Sequence, residues 1–186
     1  MAFIDVVSPE HATGALAALY QRIAGARGGV ATVHQVQSLN PKAMQAHLEM
    51  YKAILFQKST LSRIQRERLG VAVSIANGCA YCSTHHAQAL RNLGDDSDVI
   101  ARLQGGGVPE AEPDRSLVQW AIDRTKLPGE ASEEDVRRLK AEGLDDRAIL
   151  DATLTIGYFN FVNRLVLMLG VHLEDDFAAT CGTDLE

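Results

Sequence analysis

Two helical stretches meet at Asn77-Gly78, and this bend constrains the fold more than any other feature of the chain. Upstream, Ser59 or Thr60 caps a helix that runs to about Ala76. Asn77-Gly78 then reads as a stop or turn. Downstream, a helix begins at Cys79 and runs to Leu93, with Gly94 placed as its C′ residue. A join this short folds the second helix back antiparallel on the first. The rest of the chain is punctuated in the same way. Ser8-Pro9-Glu10 starts a helix through Leu16, Leu19, Tyr20 and Ile23, ended by Gly28-Gly29. Asn40-Pro41 starts another, with Met44, His47, Leu48, Tyr51, Ile54 and Leu55 on one side. Asp95 to Leu103 reads as a short helix before Gly105-Gly106-Gly107, and Val108 to Pro113 as a linker too short to separate domains. Asp114 to Leu127 is amphipathic around Leu117, Trp120, Ala121 and Arg124. Ser132-Glu133-Glu134-Asp135 opens a helix that ends at Gly143, and Asp145 opens the longest, through Leu150, Leu154, Phe161, Leu165 and Leu169. Each apolar stripe is assigned to core. No strand pattern competes, so the expected class is all-α, with residues 1–186 forming one helical domain.

Charge and punctuation exclude several function classes. A net charge of −6 with thinly spread basic residues leaves no footprint for nucleic acid. The longest apolar stretch, Ile156 to Val171, is interrupted by Asn160, Asn163 and Arg164, so no membrane span is expected. The start, Met1-Ala2-Phe3-Ile4-Asp5, shows no signal peptide. Three cysteines, with Cys181 isolated, do not form a secreted disulfide framework. A cytoplasmic location is expected, where a close cysteine pair is more often catalytic or metal-binding than structural.

The pair in question lies in Cys79-Ala80-Tyr81-Cys82-Ser83-Thr84-His85-His86. At about 100° per residue, Cys79, Cys82 and His86 fall within roughly 60° of one another. Cys82 and His86 form an i,i+4 pair, while His85 points away, to solvent or a subunit contact. On the preceding helix, Glu67 shares a stripe with Ile64, Val71 and Ile75, a costly place for an unpaired carboxylate. Folding back at Asn77-Gly78 brings Glu67 and His86 to within about 3 Å of the same height. Glu67 is therefore expected to orient the His86 imidazole, which is a candidate base for a thiol. Only a thiolate is a good nucleophile, and a second thiol three residues away can trap its oxidised form. Local physics leaves the order open, since the helix start favours Cys79 as thiolate and the imidazole favours Cys82. Zinc is a rival occupant, but two Cys and one His are one ligand short of a structural site. A thioredoxin-type site lacks its βαβ context. His34, His47 and His172 have no partner legible in sequence. Tyr20, Tyr51, Phe56 and Trp120 are read as core in preference to pocket wall.

Glu67, eleven residues, Cys79, two residues, Cys82, three residues, His86 resembles the E-x(11)-C-x(2)-C-x(3)-H signature of the alkylhydroperoxidase D (AhpD)-like group of the carboxymuconolactone decarboxylase superfamily. The core of the resemblance spans about residues 48–103. Tyr158-Phe159-Asn160-Phe161-Val162-Asn163-Arg164 and the following Leu-Gly-Val are similar to the family's peroxidase-related branch. The resemblance implies an all-helical homo-oligomer that reduces hydroperoxides, with an external dithiol as reductant and neither cofactor nor metal. It assigns Cys82 as peroxidatic, Cys79 as resolving, and His86 and Glu67 as the proton relay. Tyr81 stands where characterised AhpD enzymes carry a further relay histidine, and a phenol with a pKa near 10 does not shuttle protons at neutral pH as imidazole does. Tyr81 and His85 are thus secondary candidates. The competing readings are a generic dithiol–disulfide oxidoreductase, a carboxymuconolactone decarboxylase-like enzyme, and a non-enzymatic redox-sensing or zinc-binding helical oligomer.

Overall fold

The computed structural model describes residues 2–25, 29–175 and 177. Among these residues the regular structure is helical throughout, with no strand. The helices are α1 (Gly14–Ala24), α2 (Thr32–Gln35), α3 (Pro41–Leu55), α4 (Arg63–Ala76), α5 (Ala80–Asn92), α6 (Ser97–Gln104), α7 (Asp114–Lys126), α8 (Glu133–Ala141) and α9 (Asp146–Leu169). Of the features expected from sequence, Gly28 and Cys181 lie outside the described residues.

Helix α4 is the hub, packing against α5, α6, α7 and α9. Its sequence explains this position. Leu69, Val71 and Val73 have no exposed surface, and Gly70 admits the ring of Phe159 from α9. A Cβ at residue 70 would lie 2.4 Å from Phe159 Cζ. Two arginines of α4 are satisfied against neighbouring segments. Arg66 donates to the carbonyls of Ile54 and Gln57, both at 3.0 Å, and Arg68 bridges Asp95 and Asp114. Helix α4 starts later than expected, because Ser59 Oγ bonds Asp151 and Thr60 Oγ1 bonds Asp145. Ser62 takes the N-cap instead, in a reciprocal capping box with Gln65. The first helix also starts late. Ser8 Oγ bonds His11 Nδ1 rather than a backbone N–H, so Pro9–His11 makes only a 3₁₀ turn before α1.

Helix α9 is long and apolar enough, by length and composition, to cross a membrane. Here it packs on α3, α4, α7 and α8. Its buried face carries Ala152, Ile156, Phe159, Val162, Asn163 and Val166. This corrects the expected core stripe: Leu150, Leu154 and Phe161 are 53%, 42% and 44% exposed. Helix α9 is apolar nearly all round, so periodicity alone could not say which side is buried. A second cluster of Leu16, Leu19, Tyr20, Val30 and Met44 joins α1 to α3.

Candidate active site

Cys79 is the N-cap residue of α5, and its backbone N–H donates to Ser74 O at 2.8 Å, across the bend. Gly78 supports the bend with φ of +70°. Both thiols are free, and Cys79 and Cys82 are only 1% and 3% exposed. The two thiols perturb each other, and they do so unequally. The Cys82 thiol and the Cys82 backbone N–H support negative charge on Cys79 and lower its pKa, although burial opposes the shift. Cys82 is pushed up by the same interaction with Cys79, by burial and by the neighbouring charge. Of the two readings open in sequence, this favours Cys79 as the more acidic thiol of the pair.

Glu67 has no exposed surface. Its Oε1 accepts from Arg63 Nε at 2.7 Å and Nη2 at 2.5 Å, and its Oε2 faces His86 Nδ1 at 2.5 Å. Burial raises the carboxyl pKa, but His86 and Arg63 together outweigh it, so the group is held below the ordinary carboxylate range. An ionised carboxylate only accepts, so Nδ1 carries a proton, and the tautomer that this selects presents a lone pair on Nε2. Phe159 closes on the ring edge to face, with centroids 4.5 Å apart. Arg63, four residues before Glu67, was the partner that the sequence reading did not name. Among the described residues no hydrogen bond joins His86 to a sulfur. The imidazole and Cys82 share a helix face one turn apart.

Tyr81 and His85 are engaged elsewhere. Tyr81 Oη donates to Glu174 Oε1 at 2.9 Å, His85 Nε2 lies 2.9 Å from Glu174 Oε2, and Thr32 N donates to Glu174 Oε1 at 2.8 Å. Burial disfavours the Glu174 carboxylate, but the hydrogen bonds from His85 and Thr32 outweigh it and hold its pKa at about 2. Burial, then the Glu174 charge, raises Tyr81 well above an ordinary phenol. This corrects the expectation for His85. It does not face solvent; it is part-buried against a segment 89 residues downstream, packed on Tyr81 and Phe177.

Three further residues of the site, besides Arg63, were not legible in sequence. Asn163, on α9, has no exposed surface and stands against both thiols, lowering the pKa of each. Its Oδ1 accepts from Asn77 Nδ2 at 3.0 Å, which turns its Nδ2 toward Ser74 Oγ at 3.1 Å and leaves one N–H for the sulfurs. Tyr158 and His47 form a second buried pair, with Oη and Nε2 2.9 Å apart. Gln37 Nε2 donates to Val33 O at 2.7 Å and faces His47 Nδ1 at 2.8 Å. Nδ1 is thus the acceptor, and Nε2–H donates to the phenol. Burial drops the His47 pKa to about 4, so the ring is neutral near pH 7. His47 therefore has partners, contrary to its appearance in sequence. No group of three or more His, Cys, Asp or Glu side chains placed to hold a metal occurs among the described residues.

Residues 41–112 match the family model described as the carboxymuconolactone decarboxylase family. The fold is similar to that of the alkylhydroperoxidase AhpD core of an uncharacterized peroxidase-related protein from Ralstonia eutropha JMP134. That match has a TM-score of 0.85 and 21% identity, and covers 98% of this chain and 97% of that one. An uncharacterized peroxidase-related protein from Silicibacter sp. TM1040 matches with a TM-score of 0.80 and 25% identity, over 96% and 92% of the two chains. The debrominase Bmp8, solved in complex with 2,3,4-tribromopyrrole, shares the fold with a TM-score of 0.71 and 15% identity, over 97% of each chain. The whole chain thus shares the fold of an AhpD core, and its segment from α3 to just before α7 matches the carboxymuconolactone decarboxylase family, which together support an AhpD-like reading of the chain.

Proposed function

We propose that this protein is a dithiol peroxidase that reduces hydroperoxides through Cys79 and Cys82. The observation that carries the reading is two free, buried cysteines three residues apart, the second one helical turn from an imidazole anchored on a buried carboxylate. In the first step the Cys82 proton passes toward the Nε2 lone pair of His86, over a bridging water or the substrate itself. The Cys82 sulfur attacks the O–O bond of the peroxide, forming S–O and breaking O–O. The leaving alkoxide or hydroxide takes the proton from His86 and departs as alcohol or water. Cys82 is left as a sulfenic acid. The Cys79 thiolate then attacks the Cys82 sulfur; an S–S bond forms and the hydroxyl group leaves as water after protonation. Its lowered pKa suits Cys79 to this resolving role. Two thiols and one peroxide thus give one disulfide, one alcohol and one water, and an external dithiol reductant restores the pair.

Burial of both sulfurs favours a small hydroperoxide. We place the working protein in a reducing compartment, the cytoplasm, as a homo-oligomer whose contacts use the exposed α9 residues Leu150, Leu154, Phe161 and Met168. The test is to react reduced protein with substoichiometric hydrogen peroxide in the presence of a sulfenate trap and to map the adduct by mass spectrometry. The expected result is a Cys79–Cys82 disulfide in the wild type, a trapped sulfenate on Cys82 in Cys79→Ser, and no peroxide consumption in Cys82→Ser. A sulfenate on Cys79 formed at the wild-type rate would reverse the roles. Bmp8 brings a second substrate class to the same panel: bromide release from a bromopyrrole without peroxide turnover would replace the peroxidase reading with reductive dehalogenation.

A further inference from the structure

Arginines in this protein mostly have acidic partners. Arg63, Arg68, Arg102, Arg115 and Arg147 each form an ion pair with a carboxylate. Arg124 on α7 and Arg164 on α9 do not, among the described residues. Arg124 Nη1 donates to Leu127 O at 3.3 Å, and Arg164 Nη1 donates to Asn160 O at 2.7 Å and Asn160 Oδ1 at 3.0 Å. In a chain of net charge −6, both unpaired guanidinium groups line one cavity. It has a volume of about 450 Å³ and lies between α7, α9 and the Pro128–Glu130 turn. That volume is within the usual range for a small-molecule site.

The cavity wall is short of acceptors. No acidic residue lines it. Trp120, only 6% exposed, lines it too, and its Nε1 is buried without a hydrogen-bond partner among the described residues, as is Arg124 Nε. Indole and guanidinium nitrogens can only donate, so what completes them must accept. Apolar surface from Ile156, Phe161 and Pro128 supplies the rest of the wall. Two guanidinium groups without an acidic partner call for a planar anion, and the apolar wall calls for a ring or short alkyl chain attached to it.

We propose that this cavity binds a small hydrophobic carboxylate, with its carboxyl group held by Arg124 and Arg164 beside the Trp120 ring. The site is separate from the dithiol but adjoins it through one shared wall residue. Asn160 Oδ1 accepts from Arg164 and also from Asn77, two positions before Cys79. The proposal does not depend on the peroxidase reading, so Cys82→Ser should bind the same ligands with unchanged affinity.

Trp120 is the single tryptophan of the chain, so fluorescence excited at the red edge, where the tyrosines do not absorb, reports this cavity. The full chain is titrated with sodium benzoate and sodium octanoate at constant ionic strength, with benzamide as the uncharged control. The expected result is a saturable fluorescence change with at least one of the acids and none with benzamide. Arg124→Gln and Arg164→Gln should each weaken binding roughly tenfold, the loss of one charge-assisted hydrogen bond of about 1.4 kcal/mol. Circular dichroism and the melting temperature, recorded for each variant, establish that the fold is intact. Absence of saturable binding by either acid would overturn the proposal. So would equal binding of benzamide, or unchanged affinity in both folded variants. A shift of oligomeric state in Arg164→Gln without carboxylate binding by the wild type would assign the cavity to a subunit contact instead.

Discussion

Acidification should destabilise this fold through His47, by an amount that follows from its burial. The imidazole is 3% exposed, and its pKa falls from 6.5 to about 4 because burial disfavours the charged ring. The unfolded chain therefore binds a proton before the folded chain does. A depressed folded pKa means that stability is fully present above the unfolded value and is lost as pH falls from about 6.5 toward 4. With 1.36 kcal/mol per pKa unit, the loss from this one group is about 2 kcal/mol at pH 5 and about 3 kcal/mol at pH 4. Against a typical total of about 5–15 kcal/mol, that is a large share. The assay is chemical denaturation at pH 7.5, 6, 5 and 4.5 of the wild type and His47→Gln, which cannot take up the proton. At pH 7.5 the variant should be less stable by about 1–2 kcal/mol, having lost the geometry of the Gln37 and Tyr158 contacts. The gap should close by about 2 kcal/mol at pH 5, while groups remote from residue 47 cancel in the difference. The His34 ring, 5.2 Å away, is the neighbouring titratable group, and a His34→Asn background separates its share. Parallel stability curves for wild type and variant would refute the reasoning.

Other outcomes follow from the same coordinates. Glu67→Gln should lower peroxide turnover by about 10²-fold or more, since an amide N–H facing Nδ1 drives the ring proton to Nε2 and removes the base; the check is kcat/KM across pH. Asn163→Asp should raise the apparent thiol pKa by about one unit or more, read from thiolate absorbance near 240 nm, because a carboxylate replaces the donor beside both sulfurs. Gly70→Ala should cost about 1–3 kcal/mol in denaturant melts, since its Cβ at 2.4 Å displaces the Phe159 ring that borders His86.

What was legible in sequence was what local spacing encodes. The bend at Asn77-Gly78, the i,i+4 relation of Cys82 and His86, and the height match of Glu67 with His86 are all counted along one chain segment. Arg63 lay within the same reach, four residues from Glu67, and was passed over. Asn163 was not legible, because it meets the turn from 86 residues away and its neighbours read as part of an apolar helix. The same holds for Tyr158 with His47, 111 residues apart, and for His85 with Glu174, 89 residues apart. Leu150, Leu154 and Phe161 were misplaced because a helix apolar on every side carries no internal mark of which side is covered.

The two sulfurs are not held alike. Cys79 is tied through its amide to Ser74 O, and the preceding Asn77 is fastened to Asn160 and Asn163. Cys82 lies inside the first turn of α5, which is held through the Tyr81 side chain on Glu174 and not through the backbone at the cysteine itself. When the S–S bond forms, one partner stays as a fixed post and the other must swing. That swing travels along α5 toward His86, so the oxidation state of the thiols should be written into the contact between the imidazole and Glu67.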